Sequence, residues 1–283
     1  MMKNRRLLVI SVVVSGLILT PILSGCAPAT QENDILKVVT STSHLKYIAE
    51  RVGGDLVDVA NIVPASQHPG DFDATPDDIR KLAEADLFLV HGWPGETFVS
   101  GLVESADNPD LKLVTVKVDG NWMTPSVQVE ATNIVAQTFI QEDIENEISY
   151  LQGADDYSSM VVEKNNEVQR RLEGKGIVGT PALCSFWLAG FARWLGLYVV
   201  DIYGPATLTP QDTQALIDTG RESGATLVID NVHSGKDAGK AIAEELGVAR
   251  VILLNFPGAF DDTETWEKAL DRNIELVLEA LGQ

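Results

Sequence analysis

The sequence predicts an α/β fold of two parallel-sheet lobes with flanking helices, joined by a long connecting helix, with a ligand cleft between the lobes. Three observations carry this expectation. In each half of the chain, short β-rich runs alternate with stretches of helical spacing, the rhythm of a parallel sheet covered by helices. Threonine–proline pairs stand where helices should begin. A charged, mostly helical segment separates the two halves.

Taken in order, Lys3, Arg5 and Arg6 precede an apolar run from Leu7 to Leu19, followed by Leu23-Ser24-Gly25-Cys26. A positive start, a short apolar stretch and small residues at a cleavage site read as a signal peptide over 1–25. The apolar run is short against the roughly 20 residues a bilayer span requires, which argues against an uncleaved signal anchor. The LSGC segment resembles the lipobox of prokaryotic lipoproteins, which implies that Cys26 becomes the lipid-bearing N-terminus and ties the protein to the bilayer. Residues 26–34 are polar and aperiodic, a lipidated tether. The remaining chain is long enough for two domains. The expected organisation is an N-terminal α/β lobe over 35–152, a connecting helix over 153–174 and a C-terminal α/β lobe over 175–283. The expected location is the extracytoplasmic face of the cell membrane.

Strand candidates in the first half are Ile35–Thr42, Asp58–Ala65, Asp86–His91 and Leu111–Val118. Between them, Leu45, Ile48, Ala49 and Val52 recur at helical spacing, as do Ile79, Leu82 and Ala83, and then Phe98, Leu102 and Val103. Thr75-Pro76-Asp77-Asp78 supplies an N-cap hydroxyl, proline at the first helical position and acids in the first turn. Thr124-Pro125 and Thr209-Pro210 are expected to start helices in the same way. The helical middle runs from about Pro125 to Gly174, with an interruption expected around Gly153-Ala154-Asp155. The second half repeats the rhythm, with strands expected at Gly176–Thr180, Tyr198–Tyr203, Thr226–Asp230 and Val251–Asn255.

The 21 basic residues against 41 acidic ones give a formal charge of −20, and without Lys3, Arg5 and Arg6 the balance is 18 against 41, or −23. Such a surface repels nucleic acid and anionic lipid heads. Solubility or adaptation to salt accounts for it, so charge alone does not identify a metal binder. Cys26 and Cys184 are the only cysteines. With the first lipidated, the second is a lone thiol rather than part of a disulfide framework.

All four histidines fall at or just beyond an expected strand's carboxyl end: His44 after VVTST, His68 after NIVPASQ, His91 ending DLFLV and His233 after TLVIDNV. Cys184 follows GIVGTPAL. In open parallel sheets ligands bind outside the carboxyl ends of strands. His44, His68 and His91 are therefore expected on one side of the cleft, and Cys184 and His233 on the other. Imidazole and thiolate are ordinary ligands of zinc and related ions, although these five lie in separate loops without a tight metal-motif spacing. Trp93, Trp122, Phe186 and Trp187 offer a different kind of site, aromatic faces for a metal complex or small organic ligand, or simple packing between the lobes.

From Lys37 to Phe98 the text KVVTSTSHLKYIAERVGGDLVDVANIVPASQHPGDFDATPDDIRKLAEADLFLVHGWPGETFV resembles the metal-receptor lipoproteins of bacterial and archaeal ABC transporters for zinc, manganese and iron. The similarity continues through the middle helices into FARWLGL and covers nearly the whole mature chain. It implies an extracytoplasmic solute-binding protein, monomeric and without a catalytic cofactor, that captures a transition-metal ion between its lobes and hands it to a membrane permease. The ligand positions depart from the family pattern. The first histidine of a DPHxYEPTP-like segment corresponds to Gly70, with His68 two residues upstream. The second, in a GNPHxW-like segment, is missing from Gly120-Asn121-Trp122-Met123-Thr124. The third falls around Cys184 or Ser185, and the late aspartate corresponds to Asn255. A rearranged set from His44, His68, His91, Cys184 and His233, or a chelate held by aromatic faces, remains open. So does an exported enzyme or an adhesive lipoprotein. Cys184 has no local activating arrangement, and no complete P-loop or dinucleotide fingerprint is present.

Overall fold

A computed structural model describes residues 35–283. The signal peptide, Cys26 and the tether lie outside the described residues. Strands β1 (Leu36–Thr40), β2 (Val57–Asn61), β3 (Leu87–Val90) and β4 (Lys112–Thr115) form one parallel sheet in the order β2-β1-β3-β4. Strands β5 (Pro181–Ser185), β6 (Tyr198–Tyr203), β7 (Leu227–Asn231) and β8 (Ala249–Leu253) form a second, β6-β5-β7-β8. In both sheets the chain builds outward on one side of the first strand, then returns to build on the other. The order therefore reverses between β1 and β3, and between β5 and β7. Crevices open outside the carboxyl ends at such points. The central strands β3 and β7 are buried along their whole length, as parallel strands covered on both faces must be.

Helices α1 (Ser43–Gly53), α2 (Pro76–Ala83) and α3 (Val99–Ala106) flank the first sheet; α4 (Pro125–Glu142) and α5 (Glu147–Leu172) form the middle; α6 (Ala189–Trp194), α7 (Pro210–Glu222), α8 (Lys240–Leu246) and α9 (Trp266–Ala280) follow. α2 and α7 begin with the same device. Thr75 and Thr209 accept from the backbone N–H of Asp78 and Asp212, whose carboxylates accept from the threonine N–H in return. Asp at the third helical position thus completes a capping box that more often uses Glu or Gln. Thr124 departs from the expectation. Its hydroxyl donates to the Asn121 carbonyl at 2.6 Å instead of capping α4, and so pins the turn that carries Asn121 and Trp122.

The main core is continuous across both lobes. Leu45, Leu87 and Leu89 belong to the same buried cluster as Tyr150 and Val161 of α5 and Leu227, Trp266 and Ile274 of the second half. On α5 the buried Tyr150, Ala154, Tyr157, Val161, Val168 and Leu172 fall on one stripe at helical spacing. Lys164 and Arg171 of α5 each meet Asp271 of α9 at 2.6 Å. At 26 residues α5 is about 39 Å long, enough to run past both lobes.

Two expectations need correction. The helical break lies at Asp143–Asn146, before α5, and not around Gly153. A side chain at Gly153 would collide with the Val52 carbonyl, so this glycine lets α5 cross the end of α1. The strand expected at Gly176–Thr180 is instead β5, Pro181–Ser185. Gly176 (φ 67°) and Gly179 (φ 81°) adopt left-handed conformations that break an extended run. Pro181 sits at the first strand position, where its missing N–H is tolerated. Cys184 is consequently inside a strand and not in a loop beyond one.

Candidate functional site

The carboxyl ends at the two reversal points face each other, and a cavity of about 390 Å³ lies among them. His68, Trp93 and Trp122 line it from the first half; Phe186, Trp187 and Arg193 line it from the second. Thus all four aromatic residues singled out in the sequence border one space. Hydrogen bonds bridge the halves around it. Asn121 Nδ2 donates to the Trp187 carbonyl at 2.7 Å and to Asn255 Oδ1 at 2.9 Å. His233 Nε2 donates to the Ala65 carbonyl at 2.7 Å.

The first wall is built by the loop after β3. Glu96, buried, takes an O–H from Ser41 at 2.5 Å and backbone N–H groups from His91, Gly92 and Trp93 at 2.7–3.2 Å. One carboxylate therefore folds the loop back on itself and ties it to the end of β1. The His91 ring stacks flat on Trp93 at 3.6 Å and meets Trp122 edge-on at 4.1 Å. Nothing in the sequence marked Glu96 beyond an acid five residues after His91.

His44 lies in the first turn of α1, buried. Its Nε2 donates to the Asn255 carbonyl at 2.9 Å and its Nδ1 accepts from Gln128 at 3.3 Å, so both nitrogens are occupied. Burial lowers its pKa to about 3. His91 shares a 2.7 Å hydrogen bond with the Thr42 hydroxyl through Nε2, and its buried Nδ1 has no partner among the described residues. Burial holds its pKa well below the ordinary value. His233 has a pKa lowered to about 4, mainly by burial, and its Nε2 is used on Ala65. His68 is half-buried. Its Nδ1 accepts from the Gly70 N–H at 3.0 Å, and Nε2 makes no hydrogen bond among the described residues. Burial lowers its pKa as well. The Cys184 thiol is buried in β5, donates to the Ser185 carbonyl at 3.4 Å, and burial pushes its pKa up, which keeps it protonated.

All four imidazoles are thus neutral near pH 7, the protonation state that ligates metals. They are nevertheless spread along the walls. Among the described residues no three His, Cys, Asp or Glu side chains gather in a group that could hold a metal ion. The Asn121–Asn255 amide pair stands where the resemblance would put a ligand segment and a late aspartate, and it closes the cleft with a hydrogen bond instead. Arg193, on α6, was not anticipated from sequence. It lines the cavity, is exposed, and forms no ion pair among the described residues.

Comparison with known proteins agrees with this architecture. The family described as Zinc-uptake complex component A periplasmic (ZnuA) matches residues 38–280. Among curated relatives, the metal ABC transporter substrate-binding lipoprotein SsaB of Streptococcus sanguinis is 19% identical over 284 residues, covering 90% of this chain and 92% of that protein. The manganese ABC transporter substrate-binding lipoprotein PsaA of Streptococcus anginosus is 24% identical over 236 residues, covering 74% and 76%. Among solved structures, a crystal structure of ZnuA superposes with a TM-score of 0.75 at 21% identity, over 88% of this chain and 100% of that one. The solute-binding protein FpvC of Pseudomonas aeruginosa, in complex with Mn2+, gives 0.76 at 17% identity, over 88% and 99%. No helix among the described residues is long and apolar enough to cross a membrane. The match spans both lobes and the helix between them, and the chain belongs to the ZnuA family, the extracytoplasmic solute-binding proteins of metal ABC transporters, which bind and deliver cargo and are not enzymes.

Proposed function

We propose that this protein captures a transition metal in complexed form, as an organic chelate held between the lobes, and delivers it to an ABC permease. Its lipid-modified Cys26 would hold it at the outer face of the membrane. The observation that carries this reading is the composition of the cavity wall, whose polar groups among the described residues are indoles, amides, one arginine and the single imidazole of His68, with no carboxylate. A naked divalent ion loses its hydration on entering a site, and only charged or strongly coordinating groups compensate for that. An aromatic wall instead suits the organic shell of a complex. The names of relatives point to manganese and zinc as the metal, and the resemblance read from the sequence adds iron. His68, with a free Nε2 on the cavity, would take an open coordination position of the bound metal.

A second reading has a specific observation behind it. His68 and His91 each keep one ring nitrogen without a partner among the described residues, and both are neutral, so a bare ion could draw on them with His44, His233 or Cys184 after rearrangement. Calorimetric titration of wild type, His68→Ala and His91→Ala with Zn, Mn and Fe separates the two. The chelate reading predicts weak binding of the bare ions, little changed by His91→Ala. Tight binding of a bare ion that both substitutions abolish would replace it with the second reading.

A further inference from the structure

We infer that the ligand of this cleft is an organic anion with a flat unsaturated face, its carboxylate or comparable oxyanion held by Arg193 and by the indole N–H groups of Trp122 and Trp187. The inference rests on the chelate reading and names the chemistry of the organic component. Three independent features converge on it.

The first is charge. The protein carries a formal −20, yet among the described residues no Asp or Glu lines this cavity, and Arg193 puts a cation there. Arg193, like Arg51 and Arg170, forms no ion pair among the described residues, and of these three it alone lines this cavity, whereas Arg171, Arg221 and Arg250 each have acidic partners. A guanidinium is always charged and offers a planar fork of donors matched to a carboxylate. An unpaired one at the mouth of an acid-free cavity is a place for an anion.

The second is a pair of unfinished hydrogen bonds. The Nε1 atoms of Trp122 and Trp187 are buried and have no partner among the described residues, and both tryptophans line the cavity. Trp122 is 2% exposed, so its N–H meets an acceptor only when a ligand displaces the groups that cover it. An indole N–H can only donate. Buried donors in native proteins almost always find an acceptor, and two orphans bordering one space call for acceptor atoms from outside the chain. Trp266 shows the contrast, because its Nε1 donates to the Met123 carbonyl at 3.1 Å.

The third is shape. Trp93, Phe186, Trp187 and Phe256 present ring surfaces around a volume of about 390 Å³, within the range of small-molecule sites. Rings favour a flat, unsaturated ligand face. An anion that also chelates through its oxygens satisfies all three features at once.

The test uses the full mature chain, with tryptophan fluorescence and calorimetry as readouts. The probes are pyridine-2,6-dicarboxylate and 2,3-dihydroxybenzoate, each free and as its iron(III) complex, the uncharged pyridine-2,6-dicarboxamide, and Zn2+ and Mn2+ alone. The expected result is that an anionic probe binds and quenches tryptophan emission. Arg193→Gln should then weaken it by about tenfold, as loss of a charge-assisted contact would, while Arg193→Lys, which keeps the charge but not the planar fork, should fall between wild type and Arg193→Gln. The dicarboxamide should bind weakly and be indifferent to Arg193. Equal affinity of wild type and Arg193→Gln for a bound anionic complex overturns the anion subsite and leaves the chelate reading standing. Binding of a free anion with exclusion of its iron complex supports the subsite and overturns the chelate reading. Binding of Zn2+ or Mn2+ alone, with every organic probe rejected, overturns both.

Discussion

The two walls of the cleft stand at equivalent points of two similar sheets, yet they are finished differently. At the ends of β1 and β3 the polar groups are mostly spoken for. Glu96 gathers four donors, His44 uses both ring nitrogens, and His91 is sandwiched against Trp93 and Trp122. Beyond β5 and β7 the wall is open. Phe186 and Arg193 are exposed, and the Trp187 N–H has no partner among the described residues. Topology places both walls, but hydrogen bonding fixes the backbone of the first, leaving His68 Nε2, His91 Nδ1 and the Trp122 N–H without partners among the described residues, whereas the second is exposed as a surface. Substitutions among the hydrogen-bonded residues of the first wall, such as Glu96 and His44, should therefore cost stability, and those on the second should cost binding.

The largest expected effect comes from acid. Burial lowers the folded-state pKa of His44 to about 3 and that of His233 to about 4, against 6.5 for an unperturbed imidazole. Between those limits the unfolded chain binds more protons than the folded one. The stability present above pH 6.5 is lost as pH falls toward the folded values, by up to roughly 1.4 kcal/mol per pH unit for each histidine. Thermal unfolding followed from pH 7 to pH 4 should show a steep decline in Tm, partly removed in His44→Gln; a flat profile would mean that His44 and His233 are less buried than described. Next, Glu96→Ala leaves buried N–H groups without an acceptor and should destabilise by about 3 kcal/mol in denaturant titration. Glu96→Gln, which keeps one acceptor oxygen, should cost less. Asn121→Ala removes the bridge to Trp187 and Asn255 and should cost about 1–2 kcal/mol. Smallest is Phe186→Ala, expected within about 0.5 kcal/mol of wild type because the ring is exposed. Its effect should appear in ligand affinity, and a large loss of stability there would erase the distinction between the walls.

Much of the architecture was legible because it follows from periodicity. The alternation of β-rich and helical stretches gave both sheets, and Tyr198–Tyr203 forms a strand with the bounds read from sequence. Where reading failed, the cause was a contact or a dihedral that composition does not carry. GIVGT has the residues of a strand, but two of its glycines sit at positive φ. Gly153 looks like a helix breaker, yet it is needed for the passage of α5 over α1. The histidines were legible as strand-end residues, since parallel topology brings such ends together. Whether an imidazole is free depends on partners far away in sequence, such as Asn255 for His44 and Ala65 for His233. Arg193 gave no signal at all, because a lone arginine on a short helix normally reads as surface.

The central claim is that this cleft holds complexed cargo. Native mass spectrometry beside elemental analysis, on protein isolated from its own cells without added metal, tests it most directly. The account predicts a bound species with the combined mass of a metal and an organic anion, released on unfolding and diminished in Arg193→Gln. A bound mass equal to a single naked ion, unaffected by Arg193→Gln and lost in His68→Ala, would contradict it.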